Sequence, residues 1–454
     1  MKNFYPSRFI IGALIITVTI ASCRKDNKVM PVKSQATRSF SSTQLQNYFT
    51  MMCTITKSTQ GFFPTQAARA YGYLGITAYE AVRNGIPGAK SLSTQLNGLT
   101  AIPVPDPNLE YNWAISSNAA VADMMRDMFV GSNSTFDMNT ISVTETANLN
   151  SLSAGVSQDV ITRSVQYGKD VAAAIYQVSQ SDGADKSYLN PFNMPYTVPS
   201  CDACWVPTNP SVLNPISPLW GSNRAFLSSN VNNVTPDLPT DFSSDASSNF
   251  YANAMGVYNQ VKNNTADQVE IAKYWADDPF KTCTPAGHTF NVMVQLLKEN
   301  NATLEKASVA FAKLSIAEND AFISCWKCKY QYNRIRPVSY IKKYIDPSFA
   351  TVIGTPAFPS YSSGHAYESG AASMIFINMF TNGSGNYNFT DYSQVQYGFT
   401  ARQYSNFNDM AQECANSRFY GGIHYNEDNI EGLKMGRQIG DNVNKQIIWP
   451  TDLK

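Results

Sequence analysis

Histidine is nearly missing from this 454-residue chain, which has three: His288, His365 and His424. A histidine-rich metal cage is therefore excluded, and each imidazole can be weighed on its own. Charge is scarce too. Asp, Glu, Lys and Arg make up 15% of the residues, well under the roughly 25% of an average soluble domain. Asn, Ser and Thr fill the gap and give an uncharged, hydrated surface. The 34 basic and 34 acidic residues cancel, which argues against nucleic acid or an anionic membrane as a bulk electrostatic partner. Any anion site must be local, built from a few clustered cations. There is no internal repeat, no Gly-rich nucleotide loop and no nucleic-acid motif. After the first residues there is no apolar run long enough to span a bilayer.

Apolar residues still make up 43% of the chain, enough for a large core. Lys2 and Arg8 precede the apolar run Phe9–Ala21, whose length suits a signal peptide and not a spanning helix. It ends in Ile20-Ala21-Ser22-Cys23, which resembles a bacterial lipobox with Cys23 as the lipidated residue. An ordinary signal peptide with an incidental cysteine is the alternative. The expectation is a signal peptide over 1–22, a polar tether over 23–42, and a body outside the cytoplasm, held to the cell envelope by lipid alone. Seven further cysteines remain, an odd number, so at least one thiol stays free or pairs elsewhere. Two of the intervals are CxxC, Cys201/Cys204 and Cys325/Cys328, but their separation does not suit a zinc ribbon. One or two disulfides plus buried thiols are expected.

Apolar residues recur at three- and four-residue steps through most of the chain. Helices are expected over 44–52, 65–84, 110–129, 140–153, 159–180, 246–263, 266–275, 289–299, 304–334, from 365 to about 378, over 392–416 and over 428–447. Residues 190–240 hold nine of the 23 prolines and little periodicity, so a long irregular connection is expected there. The fold class is all-α, with an N-terminal helical half and Pro-rich loop over 43–240 and a second half over 241–454.

Three clusters carry chemistry. In Lys329-Tyr-Gln-Tyr-Asn-Arg-Ile-Arg336-Pro337, two cations seven residues apart could share one helix face, with Pro337 ending the helix. In Phe358-Pro-Ser-Tyr-Ser-Ser363-Gly364-His365, a hydroxyl, an unhindered N–H and an acid–base imidazole precede an expected helix, an anion-binding arrangement. In Ser417-Arg418-Phe-Tyr-Gly-Gly-Ile-His424-Tyr-Asn-Glu-Asp428, a Gly-Gly turn can bring Arg418 and His424 together. Asp428, four residues past His424, could hold one ring nitrogen and leave the other as nucleophile or metal ligand. Taken together, three cations around one partly buried point make sense only with an anion of charge minus two or three between them.

These patterns, Lys-x6-Arg-Pro, Pro-Ser-x-x-Ser-Gly-His and Ser-Arg-x5-His-x3-Asp, occur in the order found in the vanadium-dependent haloperoxidase and type 2 phosphatidic acid phosphatase superfamily, which the chain resembles over Lys329–Asp428. A looser likeness covers Tyr274-Trp-Ala-Asp-Asp278, Thr284-Pro-Ala-Gly-His288 and the helix 67–82, and is similar to the secreted haloperoxidase branch. The resemblance implies helical bundles and a vanadate cofactor with His424 as the metal ligand. It implies Lys329, Arg336 and Arg418 as its neutralising cations, Ser363 and Gly364 as oxygen donors and His365 as acid–base group. Asp278 would balance the cations, Trp326 and Phe358 would form a halide pocket, and His288 would line the entrance or lie on the surface. Phenylalanine at 358 is chloroperoxidase-like, but no halide preference is read from one residue. The implied reaction is oxidation of halide by hydrogen peroxide to hypohalous acid, with a small organic acceptor. The same residues also serve an acid phosphatase acting on a phosphate ester through phosphohistidine, which needs no cofactor. A non-catalytic lipoprotein that keeps the fold is the third reading.

Overall fold

The computed structural model describes residues 1–2, 34–192 and 195–451. The apolar leader and Cys23 lie outside the described residues. Fourteen α-helices are described: α1 Thr43–Ser58, α2 Pro64–Glu80, α3 Trp113–Met128, α4 Asn139–Leu152, α5 Gln158–Ser179, α6 Ser229–Asn232, α7 Asn249–Asn263, α8 Ala266–Tyr274, α9 Thr284–Glu299, α10 Leu304–Tyr332, α11 Pro337–Tyr344, α12 Gly364–Phe380, α13 Phe407–Tyr420 and α14 Asn426–Gln446. No described helix is long and apolar enough to cross a membrane.

The 29-residue α10 is the axis of the molecule, with α2 and α12 packed along it. Its Thr303 hydroxyl caps the Lys306 N–H, and nearly every side chain from Leu304 to Lys329 is buried. One apolar cluster runs from Leu45 to Trp449, so the helices on either side of residue 240 share a core. Helices α12 and α14 touch backbone to backbone. A Cβ on Gly436 would sit 2.1 Å from the Tyr367 carbonyl oxygen, so only glycine lets the two helices approach this closely.

Four local expectations are corrected. Residues 392–406 form no α-helix, only a 3-10 turn at Val395–Tyr397: Asn386–Asp391 and Arg402–Asn406 form an antiparallel hairpin, with Phe389 opposite Tyr404 and Asp391 opposite Arg402. The second strand buries Tyr404 between exposed Gln403 and Ser405, a period of two, and Gly398 turns the intervening loop at φ +91°. Pro337 does not end a helix. Instead α10 stops at Tyr332, Asn333 takes the left-handed conformation (φ 44°), and Pro337 opens α11, where its missing N–H costs nothing. The end of the expected tether is docked: Thr37 is buried, Leu304 N–H donates to Phe40 O at 2.9 Å, and the Ser42 hydroxyl to Ala302 O at 2.5 Å. The TPAGH stretch, expected ahead of a helix at 289, forms the first turns of α9.

The Pro-rich connection is irregular but pinned. Trp205 and Trp220 are buried, Ile216 N–H donates to Ala357 O at 2.9 Å, and the Asp320 carboxylate of α10 accepts from the Phe226 and Leu227 N–H groups at 2.8 and 2.9 Å. Cys53 is bonded to Cys283 and Cys201 to Cys204, which leaves Cys325, Cys328 and Cys414 as buried thiols.

Candidate active site

The three clusters meet where α10, α12, α13 and α14 converge. The C-terminal end of α10 supplies Lys329, and the extended link to α11 supplies Arg336. The start of α12 supplies Gly364 and His365, with Ser363 as its N-cap residue. Arg418 lies in the last turn of α13. Gly422, at φ +78°, reverses the chain, and Ile423 N–H closes onto Arg418 O at 3.1 Å. That turn sets His424 beside Arg418. Lys329 and Arg336 thus come together from two segments, not from one helix face.

His424 is buried. Its Nδ1 lies 2.8 Å from Asp428 Oδ2 and its Nε2 lies 3.1 Å from Arg336 Nη1. A carboxylate on one side and a guanidinium donor on the other settle the tautomer: Nδ1 carries the proton and Nε2 the lone pair. Ser360, which sequence reading left unassigned, donates its hydroxyl to the same Asp428 oxygen at 2.5 Å. Asp428 is further held by Arg334, which lies 3.6 Å from its other oxygen, pairs with Glu427 and stands over the rings of Phe250 and Tyr425 at 4.8 and 4.6 Å. The signal for Arg334 was its place inside the Lys329–Pro337 cluster.

Lys329 gives all three ammonium protons to carbonyls of the next loop, Pro359, Ser360 and Ser362, at 3.1, 3.0 and 2.5 Å. It contributes charge rather than a free N–H. Arg336 donates to Phe358 O and Ile423 O. Burial pushes Lys329 down to about 8, with Arg336 nearby adding to it, and burial pushes Arg336 down to about 9 against the pull of Asp428. Burial also lowers Arg418. Burial lowers His424 and His365 well below the usual imidazole value; the cations Arg336, Lys329 and Arg418 depress His424 further, and Arg418 and then His424 act on His365.

A cavity of about 490 Å³ opens onto Gly364, His365, Arg418 and His424, with Trp326 and Phe358 beside them and the rings of Phe63, Phe192 and Phe280 also lining it. A Cβ on Gly364 would meet only the Trp326 and Phe322 rings, at 3.7 and 3.9 Å. The missing side chain therefore leaves its N–H open rather than avoiding a clash. Among the buried polar atoms here without a partner are Arg336 Nη2, Arg418 Nε, Ser363 Oγ and His365 Nε2. Unpaired buried donors around depressed cations are the complement of an oxyanion. The residues present fit vanadate or phosphate. Among the described residues there is no cluster of three or more His, Cys, Asp or Glu that could hold a metal cation, and an oxyanion gripped by one imidazole needs none.

Of the expected site residues, His288 lies elsewhere than anticipated, and Asp278 lines the cavity as expected but at its exposed rim. His288 is neither at the entrance nor on the surface: it is fully buried between Asp277 and Asp391. Asp278 lines the cavity, but its side chain is 42% exposed and pairs with Lys281. The buried carboxylate is its neighbour Asp277, whose Oδ2 lies 4.0 Å from His365 Nε2.

Residues 309–448 match the family model of the VCPO second helical-bundle domain. The chain belongs to the vanadium-dependent haloperoxidases, a branch related to the type 2 phosphatidic acid phosphatases. Among solved structures, a bacterial vanadium-dependent iodoperoxidase is 31% identical, with a TM-score of 0.81 over 91% of this chain and 98% of that one. The holo and apo forms of a bacterial vanadium-dependent chloroperoxidase share the fold at 13% identity. Their TM-scores are 0.63 and 0.61, over 85% and 84% of this chain and 92% and 94% of theirs. No curated protein matches the chain.

Proposed function

We propose that the protein is a vanadate-dependent haloperoxidase, which oxidises a halide with hydrogen peroxide to hypohalous acid. The observation that carries this is the set of unpartnered donors on Arg336, Arg418 and Ser363 around the Nε2 side of His424, whose lone pair faces Arg336. Iodide is the first halide to test, because the relative at 31% identity is an iodoperoxidase.

Vanadate, when bound, would supply a Lewis-acidic centre at which peroxide and halide meet without a change in metal oxidation state. The protein's own groups do the rest. His424 offers the Nε2 lone pair, and Asp428, itself held by Ser360 and Arg334, keeps the Nδ1 proton in place. Lys329, Arg336 and Arg418 neutralise an oxyanion's charge in a site where each pair at 4 Å is worth about 4 kcal/mol at an effective dielectric of 20. Gly364 N–H and Ser363 Oγ donate at the start of α12, where the helix dipole adds positive potential. His365, held neutral at pH 7 by burial, accepts the proton that peroxide must lose. Trp326 and Phe358, ring centroids 4.9 Å apart, form an apolar wall with the Lys329 ammonium 5.0 Å from the Phe358 centroid. A cation behind aromatic rings suits a weakly hydrated halide.

The test is reconstitution with orthovanadate, followed by peroxide and each halide with a phenol dye as organic acceptor. Halogenated dye is expected. No turnover with any halide, together with vanadate-inhibited release of phosphate from p-nitrophenyl phosphate, would replace the peroxidase with the phosphatase reading. Neither activity would leave a non-catalytic lipoprotein. Attachment to the cell envelope through Cys23 is a separate proposal from the Ile20–Cys23 sequence. It is checked by fatty-acid labelling of the wild type and of Cys23→Ser.

A further inference from the structure

Behind the oxyanion pocket lies a second buried cluster that the chemistry above does not use. His288, in the first turns of α9, has Nδ1 3.1 and 3.0 Å from the two carboxylate oxygens of Asp277 and Nε2 2.9 Å from Asp391 Oδ2. An imidazole can donate from both nitrogens only as imidazolium. In the neutral form, one nitrogen would turn its lone pair onto a carboxylate. The two carboxylates favour the charged form. Gln394 Nε2 gives a proton to Asp277 Oδ1 at 2.6 Å and stands 2.8 Å from His288 Nδ1, where, as a donor itself, it opposes a proton on that nitrogen and is outweighed by the two carboxylates. The Tyr274 hydroxyl donates to the Asp391 carbonyl at 3.2 Å. Two more groups face Asp277: the Tyr397 hydroxyl, pushed up by burial and then by Asp277, and the Glu368 carboxyl of α12, pushed up by burial and then by Glu318 and Asp277.

The cluster grips one short segment, Trp275–Asp277. The Trp275 indole stacks on the His288 ring at 4.3 Å and 16°. Asp277 is held in the left-handed region at φ 47°, a conformation that persists only where surrounding contacts over-determine it. The same segment serves the active site twice. The Trp275 carbonyl accepts from Arg418 Nη1 at 2.5 Å, and Asp277 Oδ2 stands 4.0 Å from His365 Nε2.

We propose that His288 is a positioning residue: as an imidazolium bridging Asp277 and Asp391, it clamps the Trp275–Asp277 segment so that Asp277 and the Trp275 carbonyl face His365 and Arg418. It touches neither substrate nor cofactor. The inference rests on the haloperoxidase reading only in calling His365 the acid–base group.

With three histidines in the chain, ring-¹⁵N NMR on the full-length, cofactor-free protein resolves each one, assigned by His365→Gln and His424→Gln. The His288 ring is expected to stay doubly protonated from pH 6 to pH 9, while the other two show the neutral pattern. In His288→Gln, the His365 ring signal should move and broaden while the His424 signal holds. Turnover of the vanadate-loaded enzyme should fall roughly 10- to 100-fold, as for other residues that act through a partner, with its pH profile displaced. Asp391→Asn keeps the ring but removes its outer carboxylate, so it should move the His365 signal in the same way but less, and it decides the matter if His288→Gln does not fold. A neutral His288 ring at pH 7, or an unmoved His365 signal in the folded variant, would overturn the proposal. These signals need neither vanadate nor halide, so a failed halide assay counts against the function alone.

Discussion

His424 and His288 are both buried imidazoles with a carboxylate within 3.0 Å, yet their surroundings push them in opposite directions. At His424, burial and the cations Arg336, Lys329 and Arg418 depress the pKa well below the usual value. At His288, burial pulls the same way, but Asp277 and then Asp391 outweigh it and push the group up to about 10. Burial has one sign for both rings, so the neighbours decide. One pole of the molecule stores positive charge around a neutral ring whose Nε2 lone pair faces a guanidinium. The other stores negative charge around a charged ring that has none. Only the first can bind an oxyanion.

The strongest way to break this contrast is to remove the ring at the cationic pole. His424→Ala should abolish turnover and oxyanion-dependent chemistry of either kind, read in the reconstituted halide assay and in phosphate release. Full retention would place the ligand or nucleophile elsewhere. Next in size is the charge around that ring. Arg336→Met removes a guanidinium whose Nη2 is unpartnered. A charge-assisted hydrogen bond is worth roughly 1.5–3 kcal/mol. Affinity for vanadate, measured by calorimetry, should therefore fall by roughly 10- to 100-fold.

The two poles should also leave opposite marks on stability against pH. His288 is raised from an ordinary value near 6.5 to about 10. Its contribution is fully present below about 6.5 and is lost as pH rises through about 10. His365 and His424 are lowered. Their contribution is present above about 6.5 and is lost as the pH falls below it, because the unfolded imidazoles take up protons that the folded ones refuse. The melting temperature should decline on both sides. His288→Gln should flatten the alkaline limb, worth on the order of a few kcal/mol, and leave the acid limb alone. An unchanged alkaline limb would count against the charged His288.

The two poles also differ in how legible they were in the sequence. Lys329, Arg336, Ser363, Gly364, His365, Arg418, His424 and Asp428 sit in three short stretches, and their side chains do converge. Their chemistry could be read because each stretch groups its chemical residues within a few positions, although the stretches meet only in the fold, as where Arg336 reaches His424 across 88 residues. The helix period misled at one point, since Lys329 and Arg336 belong to different elements separated by left-handed Asn333. The acidic pole was not legible. His288 and Asp391 are 103 residues apart, and Asp391 closes a hairpin strand whose neighbourhood read as helix. Ser360 and Arg334 act through Asp428; both stand inside the three stretches, but their partner lies 68 and 94 residues further on, out of reach of any local spacing. The all-α bundle was readable from its apolar periodicity, while the hairpin at 386–406 was hidden by a short two-residue alternation.

The smallest predicted effect separates two adjacent carboxylates. The loose alignment put the balancing charge on Asp278, but its side chain is 42% exposed and its partner Lys281 is 77% exposed. An exposed pair of this kind is worth about 0–1 kcal/mol. Asp278→Asn should therefore change turnover by less than about threefold and leave stability unmoved, since water already screens its charge at the cavity rim. Asp277→Asn differs by one atom type at a buried site. It weakens the hydrogen bonds to His288 and Gln394 and removes the charge facing His365, so it should cost roughly 10- to 100-fold in turnover. Steady-state rates of the two variants at one pH are enough to tell them apart. Equal losses would mean that the field at the rim, and not the clamped segment, sets the behaviour of His365.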